Sequence, residues 1–216
     1  MHGLDWTPPT PMRVALDSDR LHLRPWAPAD AEALYDAVMG SLDHLLPWMP
    51  WARTYRDKGL AFAHKHCAEQ AMALLEPEAF VSLGLGMFRR DTGELVGSVG
   101  VHAIHRPTAR GESGYWVRRE HTGHGYAREG AARVLSWALA PQGEGGLGLQ
   151  TVRLYCAASN GASKRTIETL GIPFESHQRD YEWLEGHGLA DKLGWAARAD
   201  AWDWRAHRAI GEATGG

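Results

Sequence analysis

Residues 112–128 read ESGYWVRREHTGHGYAR, and the order of residue types in this stretch decides the fold. Its first six residues have the composition of a strand, and an apolar set at helical spacing follows its last residue. Between the two, Gly123, Gly125 and Ala127 let the backbone approach a ligand closely. Free N–H groups in the first turn of a helix bind anionic oxygens, helped by the helix dipole. The stretch predicts a phosphate-binding loop, with a tight connecting turn as the alternative.

Three arginines surround this loop, at Arg118, Arg119 and Arg128. A cluster of guanidinium groups suits a ligand that carries more than one phosphate. Salt bridges within the protein are the alternative role for these side chains.

A second glycine pattern, G-x-G-x-x-G at residues 143–148, lies between a predicted helix and a predicted strand. Dinucleotide binding needs the opposite order, in which the strand comes first and the helix follows the glycines. We therefore reject the dinucleotide interpretation, and the sequence also lacks the glycine-lysine motif of a P-loop.

Hydrophobic periodicity predicts about seven strands and about four helices in the order βααβββαβαββ, a mixed α/β (α+β) fold. Strands are predicted at 20–24, 80–89, 94–104, 112–117, 152–156, 174–183 and 191–202, and helices at 28–38, 59–75, 128–140 and 161–170. Residues 45–51 are too rich in proline for a helix and too apolar for an ordinary loop. We expect one domain at 19–205, with poorly ordered tails at 1–18 and 206–216.

The composition excludes several classes of protein. With 23 Lys and Arg against 26 Asp and Glu, the net charge of −3 gives no field that attracts nucleic acid or anionic lipid. The sequence has no apolar run of membrane-spanning length and no recognisable signal peptide, and Cys67 and Cys156 form no disulfide framework. These features predict a cytoplasmic protein. The 12 histidines form no H-E-x-x-H motif, so we predict no metal site.

Several segments together resemble the GNAT superfamily of N-acetyltransferases, in the Rim-type (RimJ/RimL-like) branch that acetylates ribosomal-protein N-termini. The resemblance spans residues 20–204. Its anchors are RLHLRPW at 20–26 with Asp30, LPWMPW at 46–51, GYW at 114–116, GHGYA at 123–127 with Glu129, and Asn160-x-x-Ser163 followed by Leu170 and Gly171.

The resemblance implies a twisted mixed sheet that is splayed between its fourth and fifth strands, with the pantetheine arm of acetyl-CoA in the splay near Tyr155. It also implies that the glycine loop binds the acyl-CoA pyrophosphate, although Thr122 stands where the family has Arg or Gln. The implied cofactor-binding residues are Val117, Arg118, Arg119, Thr122, Gly123, His124, Gly125, Tyr126, Ala127, Arg128, Asn160 and Ser163. Asn160 is alternatively a helix N-cap.

The family chemistry is direct attack of an amine on the thioester, which requires a proton acceptor and a group that stabilises the leaving thiolate. Glu112 is the first candidate for the general base and His102 is the alternative. Ile167 occupies the position of the family's proton-donating tyrosine, so Ser163 is the nearest hydroxyl for the thiolate. Trp48, Trp51 and Tyr115 are the candidate walls of the acceptor pocket.

The resulting hypothesis is an acetyl-CoA-dependent N-acetyltransferase that acts on a primary amine. The expected acceptor is the α-amine of a protein N-terminus, a peptide or an amino-acid-like molecule. One alternative is a small-molecule enzyme that acetylates an antibiotic or a metabolite, and the other is a catalytically silent acyl-CoA-binding module. The sequence leaves open whether the acyl group is acetyl or succinyl and whether the protein is a homodimer.

Overall fold

One mixed sheet of eight strands, in the order β1-β2-β3-β4-β5-β6-β8-β7, forms the centre of the fold. The computed structural model describes residues 6–10, 12, 14–75 and 80–206. In these ranges the strands are β1 (Leu16–Asp17), β2 (Leu21–Pro25), β3 (Leu83–Arg89), β4 (Leu95–His105), β5 (Arg110–Val117), β6 (Thr151–Ala157), β7 (Phe174–Leu184) and β8 (Gly188–Arg198). The mixed α/β class predicted from the sequence is confirmed.

The parallel pair β5–β6 opens the sheet at its centre, whereas the other neighbouring pairs are antiparallel. The two strands pair from Arg110 with Thr151 to Ser113 with Leu154. Beyond these positions β5 continues beside β4, and β6 continues beside β8. The expected splay between the predicted fourth and fifth strands is therefore present, and it begins at Ser113.

Helices cover both faces of the sheet. They are α1 (Ala31–Gly40), α2 (Leu42–Leu45), α3 (Ala52–Lys58), α4 (Leu60–Ala73), α5 (Tyr126–Leu139) and α6 (Gly161–Glu168). Side chains of α1, α3 and α4 pack with Trp116 on one face, and α5 packs on the other face with Val117. The α5 helix lies close against the sheet because Gly130 has no side chain, and a Cβ there would collide with the thioether of Met87.

Two elements differ from the sequence prediction. Residues 42–58 contain the short helices α2 and α3, where no helix was predicted. The prolines that argued against a helix, Pro47 and Pro50, lie in the turn between them. The eighth strand is β1, which is only two residues long and pairs with β2. Such a short strand carries no detectable periodicity.

The expected N-terminal tail at 1–18 is wrong for its described residues. Trp6, Val14 and Leu16 are buried in the main core, and the Trp6 indole Nε1–H donates to the carbonyl oxygen of Leu147 at 2.9 Å. The segment was missed because it is extended and irregular, so its apolar residues follow neither a helical nor a strand period. Of the predicted C-terminal tail, residues 207–216 lie outside the described residues. Within the described ranges no helix is both long enough and apolar enough to cross a bilayer.

We predict that Trp6→Ala lowers the free energy of unfolding by about 3 kcal/mol, because it removes a buried aromatic side chain and leaves a cavity. Denaturant unfolding measures the change. Thr10→Ala, at an exposed position of the same segment, is the control and should unfold like the parent protein. Equal midpoints for the two variants would contradict the core role of Trp6.

Candidate active site

The glycine loop adopts a backbone conformation that requires glycine. Gly123 and Gly125 have φ angles of +79° and +81°, in the left-handed region. Gly125 precedes the first residue of α5, and no side chain caps that helix. The N–H groups of the first turn of α5 are therefore available to an external anion.

Arg20 braces the loop from the start of β2. Its Nε–H donates to Glu129 Oε2 at 2.7 Å, and its Nη1–H donates to the carbonyl oxygen of His124 at 3.0 Å. Its guanidinium also lies 4.8 Å from the centre of the Tyr126 ring. Glu129 additionally accepts hydrogen bonds from the Arg20 backbone N–H and the Ser18 hydroxyl. The loop is thus fixed before any ligand binds.

A cleft of about 590 Å³ extends from this loop into the splay. Nine of the implied cofactor-binding residues line it, namely Val117, Thr122, Gly123, Gly125, Tyr126, Ala127, Arg128, Asn160 and Ser163. Sequence reasoning missed Arg165, Thr166 and Thr169, which also line it from α6 and its C-terminal end. Their spacing along one helix face was the available signal.

Arg118, Arg119 and His124 do not line this cleft. The Arg118 guanidinium donates to the carbonyl oxygen of Leu95 and pairs with Glu120. Arg119 is exposed, and its backbone N–H donates to the Ser41 hydroxyl. The arginines that line the cleft are instead Arg128 and Arg165.

Three cavities meet at Tyr115 and Met49, which line the cleft, a neighbouring cavity of about 140 Å³ and a third cavity of about 390 Å³. The Tyr115 hydroxyl lies 3.1 Å from Ser163 Oγ. Burial raises the pKa of Tyr115 to about 12, and the hydrogen bond with Ser163 only partly offsets this rise. Tyr115 therefore stays protonated at neutral pH and can donate a hydrogen bond.

Ser163 presents two groups with separate partners. Its backbone N–H donates to Asn160 Oδ1 at 3.0 Å, so Asn160 is the N-cap of α6. Its hydroxyl instead lies beside Tyr115 and lines the cleft, where it is accessible to a ligand. Ile167 is buried in the main core, so it provides no polar group there.

His102 and Glu112 are cross-strand partners on β4 and β5, with Nε2 and Oε2 3.6 Å apart. A bulge in β4 directly follows His102, and Gly114 leaves room for its imidazole, whose Cε1 lies 3.3 Å from where a Cβ would stand. Partial burial lowers the pKa of His102, Glu112 opposes this effect, and the positive charge of Lys192 adds to it. His102 lines the third cavity, whereas Glu112 lines none of the three.

Trp48 and Trp51 line different cavities among the three that meet at Tyr115 and Met49. Trp48 stacks on His187, with ring centres 4.4 Å apart, and lines the cleft and the smallest cavity. Trp51 lines the third cavity, 6.0 Å from Trp116. In the described part of the chain no three His, Cys, Asp or Glu side chains are grouped so that they could hold a metal ion.

The smallest cavity contains a polar atom that lacks a partner. Ser113 is 4% exposed, and its hydroxyl has no hydrogen-bond partner among the described residues. Cys156 lies in the same cavity, and burial raises its thiol pKa to about 11. Lys192 also lines it, with its ammonium over the rings of Tyr155 and Tyr181 at 4.2 and 4.3 Å. The unpaired hydroxyl marks a place where a polar ligand group fits.

A family model described as an acetyltransferase (GNAT) domain matches residues 20–173. The chain belongs to the GNAT acetyltransferase family. It is an acyl-CoA-dependent N-acetyltransferase, as the resemblance in the sequence implied. A relative is the uncharacterized N-acetyltransferase YoaA of Bacillus subtilis (strain 168), 30% identical over 176 residues, which cover 79% of this chain and 89% of YoaA.

Solved GNAT structures with the same fold include Rim-type enzymes. The ribosomal L7/L12 α-N-protein acetyltransferase RimL in complex with CoA has a TM-score of 0.74 at 18% identity, over 87% of this chain and 99% of RimL. Mycobacterium smegmatis RimJ in complex with CoA-disulfide has a TM-score of 0.72 at 21% identity, over 90% of each chain. The microcin C7 self-immunity acetyltransferase MccE, in complex with acetyl-CoA and AMP, has a TM-score of 0.72 at 16% identity, over 88% of this chain and 99% of MccE.

We predict that Gly125→Val weakens acetyl-CoA binding by about tenfold, which corresponds to about 1.4 kcal/mol. Valine is strained at a φ of +81° and displaces the N–H groups of the loop. Calorimetry measures the dissociation constant.

Gly145→Val is the matched control, because Gly145 has a φ of +77°, is exposed and lies in the turn after α5. It should carry the same backbone strain and bind acetyl-CoA like the parent enzyme. If both variants bind with the parent affinity, the glycine loop is only a turn.

Proposed function

We propose that this enzyme binds acetyl-CoA in the cleft and acetylates the α-amine of a protein N-terminus, a peptide or an amino-acid-like molecule. One observation carries the proposal: the cleft and the third cavity meet at Tyr115, inside the splay. A donor that enters from the loop and an acceptor that enters from the other face of the sheet would bring their reacting groups together there. Acyl transfer requires this arrangement of its two substrates.

The residues of the cleft fit acyl-CoA along its length. The first turn of α5, with Arg128 and Arg165, offers N–H groups and positive charge for a pyrophosphate. Beyond Ser113 the β6-facing edge of β5 has no strand partner, so the amides of a pantetheine arm can pair with it. The unpaired Ser113 hydroxyl can donate to a carbonyl oxygen in the splay.

The chemistry favours an α-amine as acceptor. An α-amine with a pKa of about 8 is roughly one-tenth neutral at pH 7, whereas a lysine amine with a pKa of about 10.4 is under a thousandth neutral. Lys192 places a positive charge beside the junction, which disfavours a protonated amine and so favours the reactive neutral form. A modest proton acceptor is sufficient for such a substrate.

His102 is the better placed proton acceptor, because it lines the third cavity and its lowered pKa keeps the imidazole neutral at pH 7. As the amine nitrogen bonds to the thioester carbon and the carbon–sulfur bond breaks, His102 takes the amine proton. The Ser163 hydroxyl donates a hydrogen bond to the departing sulfur, and Tyr115 donates in turn to Ser163. Glu112, 3.6 Å from His102, acts as a positioning residue in this scheme.

A small-molecule N-acetyltransferase is the second candidate function. It is supported by the shared fold with MccE, a self-immunity enzyme whose structure holds acetyl-CoA and AMP. Incubating the protein with acetyl-CoA and a panel of N-terminal peptides, amino acids and amine-bearing antibiotics, while free thiol is followed, separates the two functions. A silent binding module would bind acetyl-CoA and release no thiol with any acceptor. Running succinyl-CoA in parallel tests the acyl group.

We predict that His102→Gln lowers kcat by about a hundredfold, the lower end for loss of a general base. In the parent enzyme the plot of kcat against pH should fall on its acid side as His102 becomes protonated. This fall should lie below pH 6.5, because burial lowers the pKa of His102 and the neutral form is the active one. A second change in rate near pH 8, caused by deprotonation of the acceptor amine, should be common to all variants.

Glu112→Gln distinguishes the two candidate bases. It removes the negative charge that partly opposes the lowering of the His102 pKa. The fall of kcat at acid pH should therefore move to lower pH, while the rate at pH 7.5 changes little. A large loss of rate at pH 7.5 in Glu112→Gln, with an active His102→Gln enzyme, would assign the base to Glu112 instead.

We predict that Ser163→Ala lowers kcat by roughly one to two decades with little change in acetyl-CoA affinity, because it removes the hydrogen bond to the leaving sulfur. The Asn160 cap uses only the backbone N–H of Ser163, so the helix should persist. Ser159→Ala, exposed just before α6, is the control. A Ser163→Ala enzyme that loses stability and retains its turnover would show that this hydroxyl is only structural.

A further inference from the structure

The third cavity, of about 390 Å³, is lined by several aromatic side chains together with aliphatic and uncharged polar residues. It lies between β3, β4 and β5 and the helices α3 and α4, on the face of the sheet opposite α5. Its Trp, Tyr and Phe lining residues are Trp26, Trp51, Tyr55, Phe62, Tyr115 and Trp116. Trp51 is 40% exposed, so a ligand can reach the cavity from solvent.

This cavity is electrically neutral around pH 7. None of the described residues that line it is Lys, Arg, Asp or Glu. The two titratable groups with an ordinary pKa near neutrality are His66 and His102. Burial lowers the pKa of His66, against a smaller opposing effect of Glu69, and partial burial lowers that of His102. Both imidazoles are therefore neutral, and a charged group that entered the cavity would lose hydration without gaining an ion pair with any residue of its lining.

The residues proposed to act in the reaction belong to the lining of this cavity. His102, Gly114 and Tyr115 line it together, and Tyr115 also lines the acyl-CoA cleft. An acceptor amine beside His102 would therefore direct its own substituent toward Trp51, Tyr55 and Trp116. The cavity has room for about ten water molecules, which is far more than a serine or alanine side chain fills.

We propose that this cavity binds a bulky, uncharged apolar or aromatic group carried next to the reacting amine, and so selects acceptors such as peptides that begin with Phe, Leu or Trp. The inference rests on the proposed acylation of an amine at Tyr115 and adds the class of its substituent. Polycationic amines are poor substrates in this scheme.

The first test compares peptides that differ only in their first residue: Phe, Leu, Trp, Gly, Ala, Ser, Lys or Asp. Release of free thiol from acetyl-CoA gives kcat/KM for each peptide. We expect the three large apolar residues to exceed Gly, Ala and Ser by about tenfold or more, since each methylene in an apolar pocket contributes at least that order. Lys and Asp should be the poorest acceptors. Equal or higher kcat/KM for Ser or Ala would overturn the proposal and leave the N-acetyltransferase function intact.

The second test fills the cavity. Thr54 lines it from α3, so Thr54→Trp should reduce the ratio of kcat/KM for the Phe peptide to that for the Gly peptide by about tenfold. Arg56→Trp places the same side chain at an exposed position of the same helix, outside the cavity lining, and should leave this ratio unchanged. An unchanged ratio in Thr54→Trp would contradict the proposal.

A binding measurement separates this inference from the proposed function. Calorimetry titrates the Phe peptide and phenethylamine into the complex of the enzyme with CoA, for the parent and both variants. Binding that Thr54→Trp weakens and Arg56→Trp preserves supports the cavity even if no peptide is acetylated. Turnover of phenethylamine without any peptide would retain the cavity and reject the N-terminal α-amine. No binding of either compound, or equal binding by both variants, overturns the cavity assignment.

Discussion

The parallel pairing of β5 with β6 is the constraint on which the rest of the site depends. Two parallel strands need a crossover connection, and here the crossover contains α5. The glycine loop joins the end of β5 to the start of α5, and the first residues of the helix line the cleft together with Val117. The glycine loop and the opening of the splay are thus two consequences of one connection. The pairing stops at Ser113, and beyond that residue the facing edges of β5 and β6 have no strand partner in each other.

The two sides of the splay differ in charge. The cleft side carries helix N–H groups with Arg128 and Arg165, whereas the third cavity has neutral aromatic walls. Tyr115 stands at the boundary as a hydroxyl that stays protonated because burial raises its pKa. In the proposed reaction a polyanionic donor and an uncharged acceptor substituent would each find the environment that suits them, and the same difference in charge would keep the two substrates from exchanging places.

Local patterns predicted the parts of the site that local backbone determines. The loop at Gly123 and Gly125 could be predicted because a left-handed backbone before a helix favours glycine. Asn160 could be predicted as a helix N-cap because few residue types are preferred at that position. The third cavity could not be predicted from the sequence, since its lining residues Trp26, Tyr55 and Trp116 come from elements far apart along the chain. Arg118 was misleading for the same reason: only the folded chain brings Leu95 and Glu120 to its guanidinium. The bulge after His102 breaks strand alternation, which hides the side chain's direction.

The N-terminal segment also determines the order in which the chain can fold. Trp6 bonds to Leu147 beyond the C-terminal end of α5, and Ser18 and Arg20 bond to Glu129 near its N-terminal end. Residues 6–20 therefore contact both ends of a helix that is synthesised more than a hundred residues later. During translation they must wait, with Trp6 unburied, until residue 147 has left the ribosome. Closing so long a loop is slow, so the start of this chain is among the last parts of the core to form.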